Sequence, residues 1–181
     1  MNLSFLGPFH PVIVHTPITM LIFSAVFALV SRLYDREWLR KASVVMLVFG
    51  FLGAFLAVQS GKPAHKVPEN QQGVPEAAID THALLGERVM YLAGLALVVL
   101  GIGSRLQGRA ARVLGGIALV LQFLAAGAVG YTGFLGGKLV FEHGANVKVD
   151  GRLVKSSKPP ERAGEKQDTG DDGPAGPDST E

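Results

Sequence analysis

The segment PVIVHTPITMLIFSAVFALVSRL, residues 11–33, decides the fold of this chain. Its only residue with a full charge at neutral pH is Arg32, which lies next to the end of the segment. A membrane hydrocarbon core about 30 Å thick needs roughly 20 apolar residues in helical form, and core helices of soluble proteins rarely run so long without a charge. The segment therefore predicts a helix that crosses a membrane.

Three further apolar blocks follow, and the 48% hydrophobic content of the chain is concentrated in these long runs. The third helix should begin before its apolar part, because Pro75-Glu76-Ala77-Ala78 has the pattern of a helix start with an acidic first turn. We predict an all-α four-helix transmembrane bundle within residues 1–149. Its helices are expected at residues 11–33, 42–60, 76–103 and 113–137.

The segments between and after these helices predict less regular structure. Residues 62–74 are rich in Pro, Gly, Gln and Asn, which indicates an exposed loop. Asp150-Gly151 lies between Val-rich arms and favours a small hairpin over residues 147–154. The polar stretch that follows has too few apolar residues to offset its ordering entropy, so we predict a disordered tail within residues 150–181.

Basic residues predict the orientation of the chain in the membrane. Seven of them flank the short connections between helices one and two and between helices three and four: Arg32, Arg36, Arg40, Lys41, Arg105, Arg109 and Arg112. Since Lys and Arg accumulate in cytoplasmic loops, both termini are expected on the outer side of a bacterial inner membrane. Residues 1–11 contain no Lys or Arg, so the first block is expected to be retained rather than cleaved as a signal peptide.

Composition excludes several classes of function. The chain has no cysteine, which excludes disulfides, thiolate metal sites, iron–sulfur clusters and covalent c-type haem. The formal charge of +2 comes from scattered loop residues, so nucleic acid is not an expected partner. Sequence patterns of hydrolases, phosphate loops and zinc proteases are missing, so the catalytic residues are unknown and an enzyme label would rest on haem alone.

The histidines form the most informative constellation. All five, at positions 10, 15, 65, 82 and 143, fall on one side of the predicted membrane. His15 lies about one turn inside the first helix, where an imidazole is costly unless it is hydrogen bonded or binds a metal, so it is expected to face the bundle interior. His10 precedes it by five positions, roughly 140° away around a helix, and is expected at the helix start.

Small residues recur at spacings of three and four in two helices. They are Gly50, Gly53, Ala54 and Ala57 in the second, and Ala126, Gly130, Gly133 and Gly137 in the fourth. Such stripes predict close helix packing. Room for a flat cofactor is the alternative interpretation, and Gly86, on the same helix face as His82, also leaves space beside that imidazole.

A family resemblance rests on three motifs. The opening His10-Pro11-Val12-Ile13-Val14-His15-Thr16-Pro17, the later His82, and Gly-Gly-Lys-Leu-Val-Phe-Glu-His-Gly-Ala-Asn-Val from Gly136 resemble the DUF2231 family of predicted bacterial membrane proteins. The likeness covers about residues 8–149. The family is named for its unknown function, but related domains occur joined to cytochrome or Rieske-type modules, so the resemblance implies redox chemistry. No such module is recognisable in these residues.

Two hypotheses of function follow. In the first, His15 and His82 are axial ligands of a b-type haem used in electron transfer with a redox partner, and His10 and His143 support them or replace them. Arg88 or Lys138 would neutralise the haem propionates. A variant of this hypothesis replaces haem with another metal ion, zinc before copper.

The second hypothesis is a noncatalytic membrane anchor or subunit that engages a partner protein or a second copy of the chain as a homo-oligomer. A channel or transporter is less favoured, because four helices leave little room for a pore and no broken helix or inverted repeat is evident. In every case the lipid bilayer is a partner of the apolar helix surfaces.

Overall fold

A computed structural model of the chain describes residues 4–69, 71 and 73–154, without the side chains of residues 4 and 65–69. Most of the predicted tail, residues 155–181, lies outside this range. A 3-10 turn, Ser4–Phe9, leads into α1 (His10–Ile13) and α2 (His15–Leu33). Three longer helices follow: α3 (Glu37–Glu69), α4 (Glu76–Gly103) and α5 (Gly108–Phe141).

The helices form the predicted four-helix transmembrane bundle. The first span joins the 3-10 turn, α1 and α2, and all four spans are long and apolar enough to cross a membrane. Each of α2, α3, α4 and α5 packs against two of the others, so the order around the bundle follows the order in the chain. The start of α4 at Glu76 agrees with the expected acidic first turn.

The first span contains a short interruption at Val14, between α1 and α2. Pro17 explains it, because proline has no N–H to donate to the carbonyl of Ile13 four residues earlier and its ring crowds that carbonyl. Two longer bonds bridge the gap, from Val14 N to His10 O at 3.1 Å and from Ile18 N to Val14 O at 3.3 Å. The span therefore continues across the break.

Helix α3 runs further than the sequence predicts. The expectation of an irregular loop over residues 62–74 is wrong for residues 62–69, which are helical. Pro63 removes one backbone hydrogen bond, but the N-terminal turn packs against the helix at this point. A Cβ on the buried Gly7 would lie 3.4 Å from both Ala64 N and Pro63 Cβ, so the two segments are in close contact.

Close helix packing, expected of both small-residue stripes, is found mainly in the first. A Cβ at Gly50 would lie 2.5 Å from Leu21 Cδ2, and one at Gly53 would lie 2.9 Å from Thr16 Cγ2. Among the glycines of the α5 stripe, only Gly133 comes near another helix, with Ile18 Cδ1 at 3.5 Å, while Gly130 and Gly137 have no described neighbour within 4 Å. The α3 stripe thus requires glycine more strictly than the α5 stripe does.

A polar node joins three helices inside the apolar core. Ser24, Ser43 and Gln122 are all buried, and each serine Oγ lies 2.9 Å from the backbone oxygen of the other serine. Gln122 Oε1 lies 2.9 Å from Ser24 Oγ and 3.2 Å from Ser43 Oγ and accepts from these hydroxyls. Each hydroxyl has one proton, which it shares between the facing backbone oxygen and Gln122 Oε1.

The predicted hairpin is confirmed at the histidine end of the bundle. Strands β1 (Lys148–Val149) and β2 (Arg152–Leu153) pair antiparallel. Asp150 and Gly151 have φ of 50° and 75°, as a two-residue type I′ turn requires. The hairpin extends to the point where the described residues end.

A single glutamine attaches this hairpin to the loop between α3 and α4. The buried Gln71 donates through Nε2 to Gly144 O at 2.9 Å and to Val154 O. In return, Asn146 N donates to Gln71 Oε1 at 3.0 Å. A small apolar cluster of Val74, Ile79, Leu139 and Ala145 lies in the same region. We call this assembly the cap.

Candidate histidine site

Two of the predicted site residues face each other at one end of the bundle. The ring centroids of His10, on α1, and His82, on α4, lie 6.4 Å apart, and the ring planes are at 90°. Both residues are half-buried. We call them the histidine pair.

The hydrogen bonds of Ser60, on α3, determine the tautomer of His10. Ser60 Oγ donates its one proton to Ala57 O at 3.0 Å, so it accepts from His10 Nδ1, which lies 2.9 Å away. In the neutral imidazole the lone pair is then on Nε2. Gly61 makes room for the ring, because a Cβ there would lie 3.3 Å from His10 Cε1.

His82 has the same tautomer through a different partner. Its Nδ1 lies 3.0 Å from Thr132 O, on α5, and a carbonyl oxygen only accepts, so Nδ1 carries the proton and Nε2 the lone pair. A Cβ at Gly136 would lie 3.0 Å from His82 Cε1, so this glycine is needed beside the ring. Two helices thus orient two imidazoles in the same chemical state.

His15 does not lie in the pair. Its side chain is exposed, so the expectation that it faces the bundle interior is wrong. Its Nδ1 instead donates to Pro11 O at 2.7 Å, a local bond that satisfies the imidazole on the helix surface. Because His10 and His15 point in different directions around the first span, turning His10 inward turns His15 outward.

His143 follows α5 at the same end of the bundle and is half-buried. Its Nδ1 is shielded from solvent and has no hydrogen-bond partner among the described residues. The side chain of His65 lies outside the part of the chain that the structure describes. Of the predicted ligands, therefore, the structure brings together His10 and His82.

The two predicted propionate partners are in different environments. Lys138 Nζ lies 3.5 Å from Glu142 Oε2 and 5.9 Å from the centroid of the Phe134 ring. Arg88 is exposed, with no ion-pair partner within the described residues. Both side chains remain accessible to an anionic group.

Several supporting residues were missed by sequence reasoning. Ser60 is the last residue of the predicted second helix, Gly61 follows it, and Gly136 belongs to a family motif, but the sequence does not indicate that any of them contacts a histidine. On each supporting helix, an oxygen and a glycine lie close together in the sequence and contact the same imidazole: Ser60 and Gly61 for His10, Thr132 and Gly136 for His82. This spacing identifies a site only when the histidine that packs against each helix is known.

The comparisons with known proteins agree with the architecture. The family described as "Predicted membrane protein (DUF2231)" matches residues 7–149. The chain belongs to this family. The matched part of this DUF2231 protein contains the histidine pair, its supporting serine and glycines, and the first strand of the hairpin. No curated protein and no solved structure matches the chain.

Proposed function

We propose that this DUF2231 protein holds a b-type haem between His10 and His82 at one membrane face and takes part in electron transfer. The observation that carries the proposal is the pair itself: two imidazoles face each other, and each donates its Nδ1 proton to an oxygen of a neighbouring helix. This leaves Nε2 as the atom with a lone pair on both rings, the form in which histidine binds a metal.

The two imidazoles would hold the metal of the group through Nε2. Their ring centroids lie 6.4 Å apart, so one bound group could contact both side chains.

Haem is favoured over an ion held by the protein alone. Zinc sites use three or four protein ligands, whereas haem supplies four nitrogens and needs two axial ones. Within the described residues, no three His, Asp or Glu side chains form a group that could hold a metal ion. Two histidines supply the number of protein ligands that a haem requires.

The surroundings of the pair also suit a flat group. Gly61 and Gly136 keep side chains away from the edges of the two rings. Gly86, one turn from His82, has only Thr132 Cγ2 near the position of a Cβ, at 4.0 Å, and Gly137 has no described atom within 4 Å. Haem would supply one-electron chemistry when bound, and the exposed Arg88 or Lys138 would neutralise its propionates.

The protein's own contribution is orientation and insulation. The bonds from Nδ1 to Ser60 and Thr132 fix the direction of each ring and increase the basicity of Nε2. Below the pair, the buried Leu21, Leu47 and Val89 form part of an apolar core that excludes water from the middle of the bundle. Electrons would thus enter and leave at the histidine end.

The proposed orientation of the chain places the histidine end on one side of the membrane. The basic residues cluster at the opposite end, which supports a bacterial inner membrane protein with both termini on the outer side. The proposed haem would then lie near the outer face, within reach of a redox partner protein there. A noncatalytic anchor or subunit is the function that remains if no cofactor binds.

Spectroscopy and elemental analysis of the detergent-purified protein test this proposal. We expect a reduced-minus-oxidised haem spectrum with about one iron per chain in the parent and in His15→Ala, the matched control, because His15 is exposed and outside the pair. The double variant His10→Ala, His82→Ala should lack both signals. A well-folded parent that takes up no cofactor on reconstitution would overturn the proposal, and stoichiometric zinc without haem would replace haem by an ion.

A further inference from the structure

We propose that the end of the bundle opposite the histidines binds the phosphate of an anionic phospholipid, in the seam between α2 and α5. Seven basic side chains lie at this end, and all are exposed: Arg32, Arg36, Arg40, Lys41, Arg105, Arg109 and Arg112. We call it the arginine end. This proposal is independent of the haem.

Most of these charges lack an internal partner. Glu37 Oε1 lies 3.0 Å from Lys41 Nζ and 3.7 Å from Arg40 Nη2, so one carboxylate serves two cations. For the other five arginines the described residues contain no ion-pair partner. An excess of guanidinium groups at a membrane surface attracts anionic headgroups, at roughly 1 kcal/mol for each basic residue.

One of these arginines contacts α5 at the seam, and the helical spacing places a second on the same face of α5. Arg32 Nη2 lies 2.8 Å from the position that a Cβ of Gly115 would occupy, so the guanidinium rests directly on the backbone of α5. Arg112 lies three residues before Gly115 and therefore on the same face of α5. Two planar donors at one groove provide the geometry that recognises a phosphate.

Aromatic residues mark the depth of the seam. Tyr34 follows α2 directly and Trp38 lies in the first turn of α3. They are 69% and 64% exposed, and the Trp38 ring contacts Phe27 of α2 at a centroid distance of 6.4 Å. Exposed Trp and Tyr beside an apolar helix end are typical of the headgroup level of a bilayer. Arg32, at the end of the same helix, therefore lies where lipid phosphates lie.

A neighbouring depression fits an anion less well. It has a volume of about 240 Å³ between α2 and α3, and it is lined by Ser31, Asp35, Arg36, Glu37 and Arg40. Two carboxylates in its wall would repel a phosphate, whereas no carboxylate of the described residues is ion-paired with the arginines of the α2–α5 seam. The charge distribution thus favours the seam.

Native mass spectrometry with added phosphatidylglycerol or phosphatidylcholine tests the site. We expect the full chain to retain phosphatidylglycerol in preference, and Arg32→Gln, Arg112→Gln to weaken that retention roughly 10- to 30-fold. The matched control is Arg40→Gln, Lys41→Gln, which removes the same charge from residues already paired with Glu37 and should keep the preference.

A glycine pair provides a second measurement that does not remove charge. Gly115→Ala places a methyl group 2.8 Å from Arg32 Nη2 and should reduce phosphatidylglycerol retention, while Gly116→Ala, with no described atom within 4 Å, should not. Equal losses in both arginine-end double variants, or no preference for phosphatidylglycerol in the parent, would overturn the proposal. If the Arg32, Arg112 double variant does not fold, the two alanine variants decide the question.

Discussion

The polar node in the middle of the bundle and the histidine pair at its end differ in how their polar side chains are hydrogen bonded. In both, polar side chains lie between helices, buried at the node and half-buried at the pair, where each needs a partner. At the node, the hydroxyl hydrogens of Ser24 and Ser43 are directed to oxygen atoms of Ser24, Ser43 and Gln122. At the pair, each imidazole directs one hydrogen to a helix and retains a lone pair on the other nitrogen.

This difference separates a structural contact from a candidate site. A polar group whose hydrogens and acceptors are satisfied by its neighbours contributes to stability and has little left to offer a ligand. The two imidazoles of the pair, whose ring centroids lie 6.4 Å apart, differ in that each has a ring nitrogen of the kind that binds a metal. The comparison therefore predicts that changes at the pair affect binding and changes at the node affect stability.

The largest effect is expected from filling the space beside His82. Gly136→Leu would place a side chain where even a Cβ lies 3.0 Å from His82 Cε1, so the ring must move. We expect loss of cofactor binding and a destabilisation of about 1–3 kcal/mol from overpacking. Absorption spectra and detergent-based unfolding would measure both, with Gly127→Leu as the control, because a Cβ there meets no described atom within 4 Å and lies outside the proposed site. Equal behaviour of the two variants would contradict this view.

Removing the oxygen that accepts from His10 should weaken binding without abolishing it. In Ser60→Ala the imidazole loses the group that fixes its tautomer, and loss of such a partner typically lowers metal affinity 10- to 100-fold. Haem titration would measure the change. Ser31→Ala removes a hydroxyl whose one hydrogen bond within the described part of the chain is to Ala28 O of its own helix, and should leave the affinity unchanged. Unaltered affinity in Ser60→Ala would show that this bond does not support a ligand.

The node should show the complementary behaviour. In Gln122→Leu two buried hydroxyls lose an acceptor, and since hydrogen bonds inside membrane proteins contribute about 0.6 kcal/mol on average, we expect a loss of about 1–2 kcal/mol in unfolding free energy. Cofactor content should not change. Adding Ser24→Ala and Ser43→Ala should restore part of the stability, because a fully apolar contact leaves no unsatisfied group. A fall in cofactor content at unchanged stability would reverse the assignment of the two regions.

The smallest effect is expected at Thr132. Its backbone oxygen accepts from His82, while its hydroxyl donates to Ala128 O at 2.8 Å within the same helix. Thr132→Val removes the hydroxyl alone, so both cofactor affinity and stability should change little, by at most about 0.6 kcal/mol. A large loss of affinity would mean that the side chain, and not the backbone, positions His82.

The fold was largely predictable because long apolar blocks and local sequence patterns determine it. Four apolar blocks of membrane length, a helix start at Glu76 and an Asp150-Gly151 turn each depend on local chemistry, and all three are present in the structure. The extension of α3 to Glu69 was not predictable, because it depends on the N-terminal turn packing against Pro63 and Ala64. Contacts between distant segments leave no local pattern.

The candidate site was predictable only in part for a related reason. The sequence places the histidines at one end, and the roughly 140° between His10 and His15 means that they do not share a face, but it does not say which of them turns inward. That choice depends on Ser60 and Gly61, which offer His10 an oxygen and a space on α3. For His15, the nearby Pro11 carbonyl supplies a partner that needs no second helix.

The most direct test of the central claim is a haem titration of the cofactor-free protein beside two double variants, followed by absorption spectroscopy. The account predicts that the parent and Ser24→Ala, Ser43→Ala each saturate at about one haem per chain, whereas His10→Ala, His82→Ala does not saturate. If the histidine variant binds haem as well as the parent does, or if the parent binds none, the pair is not a haem site and the claim is contradicted.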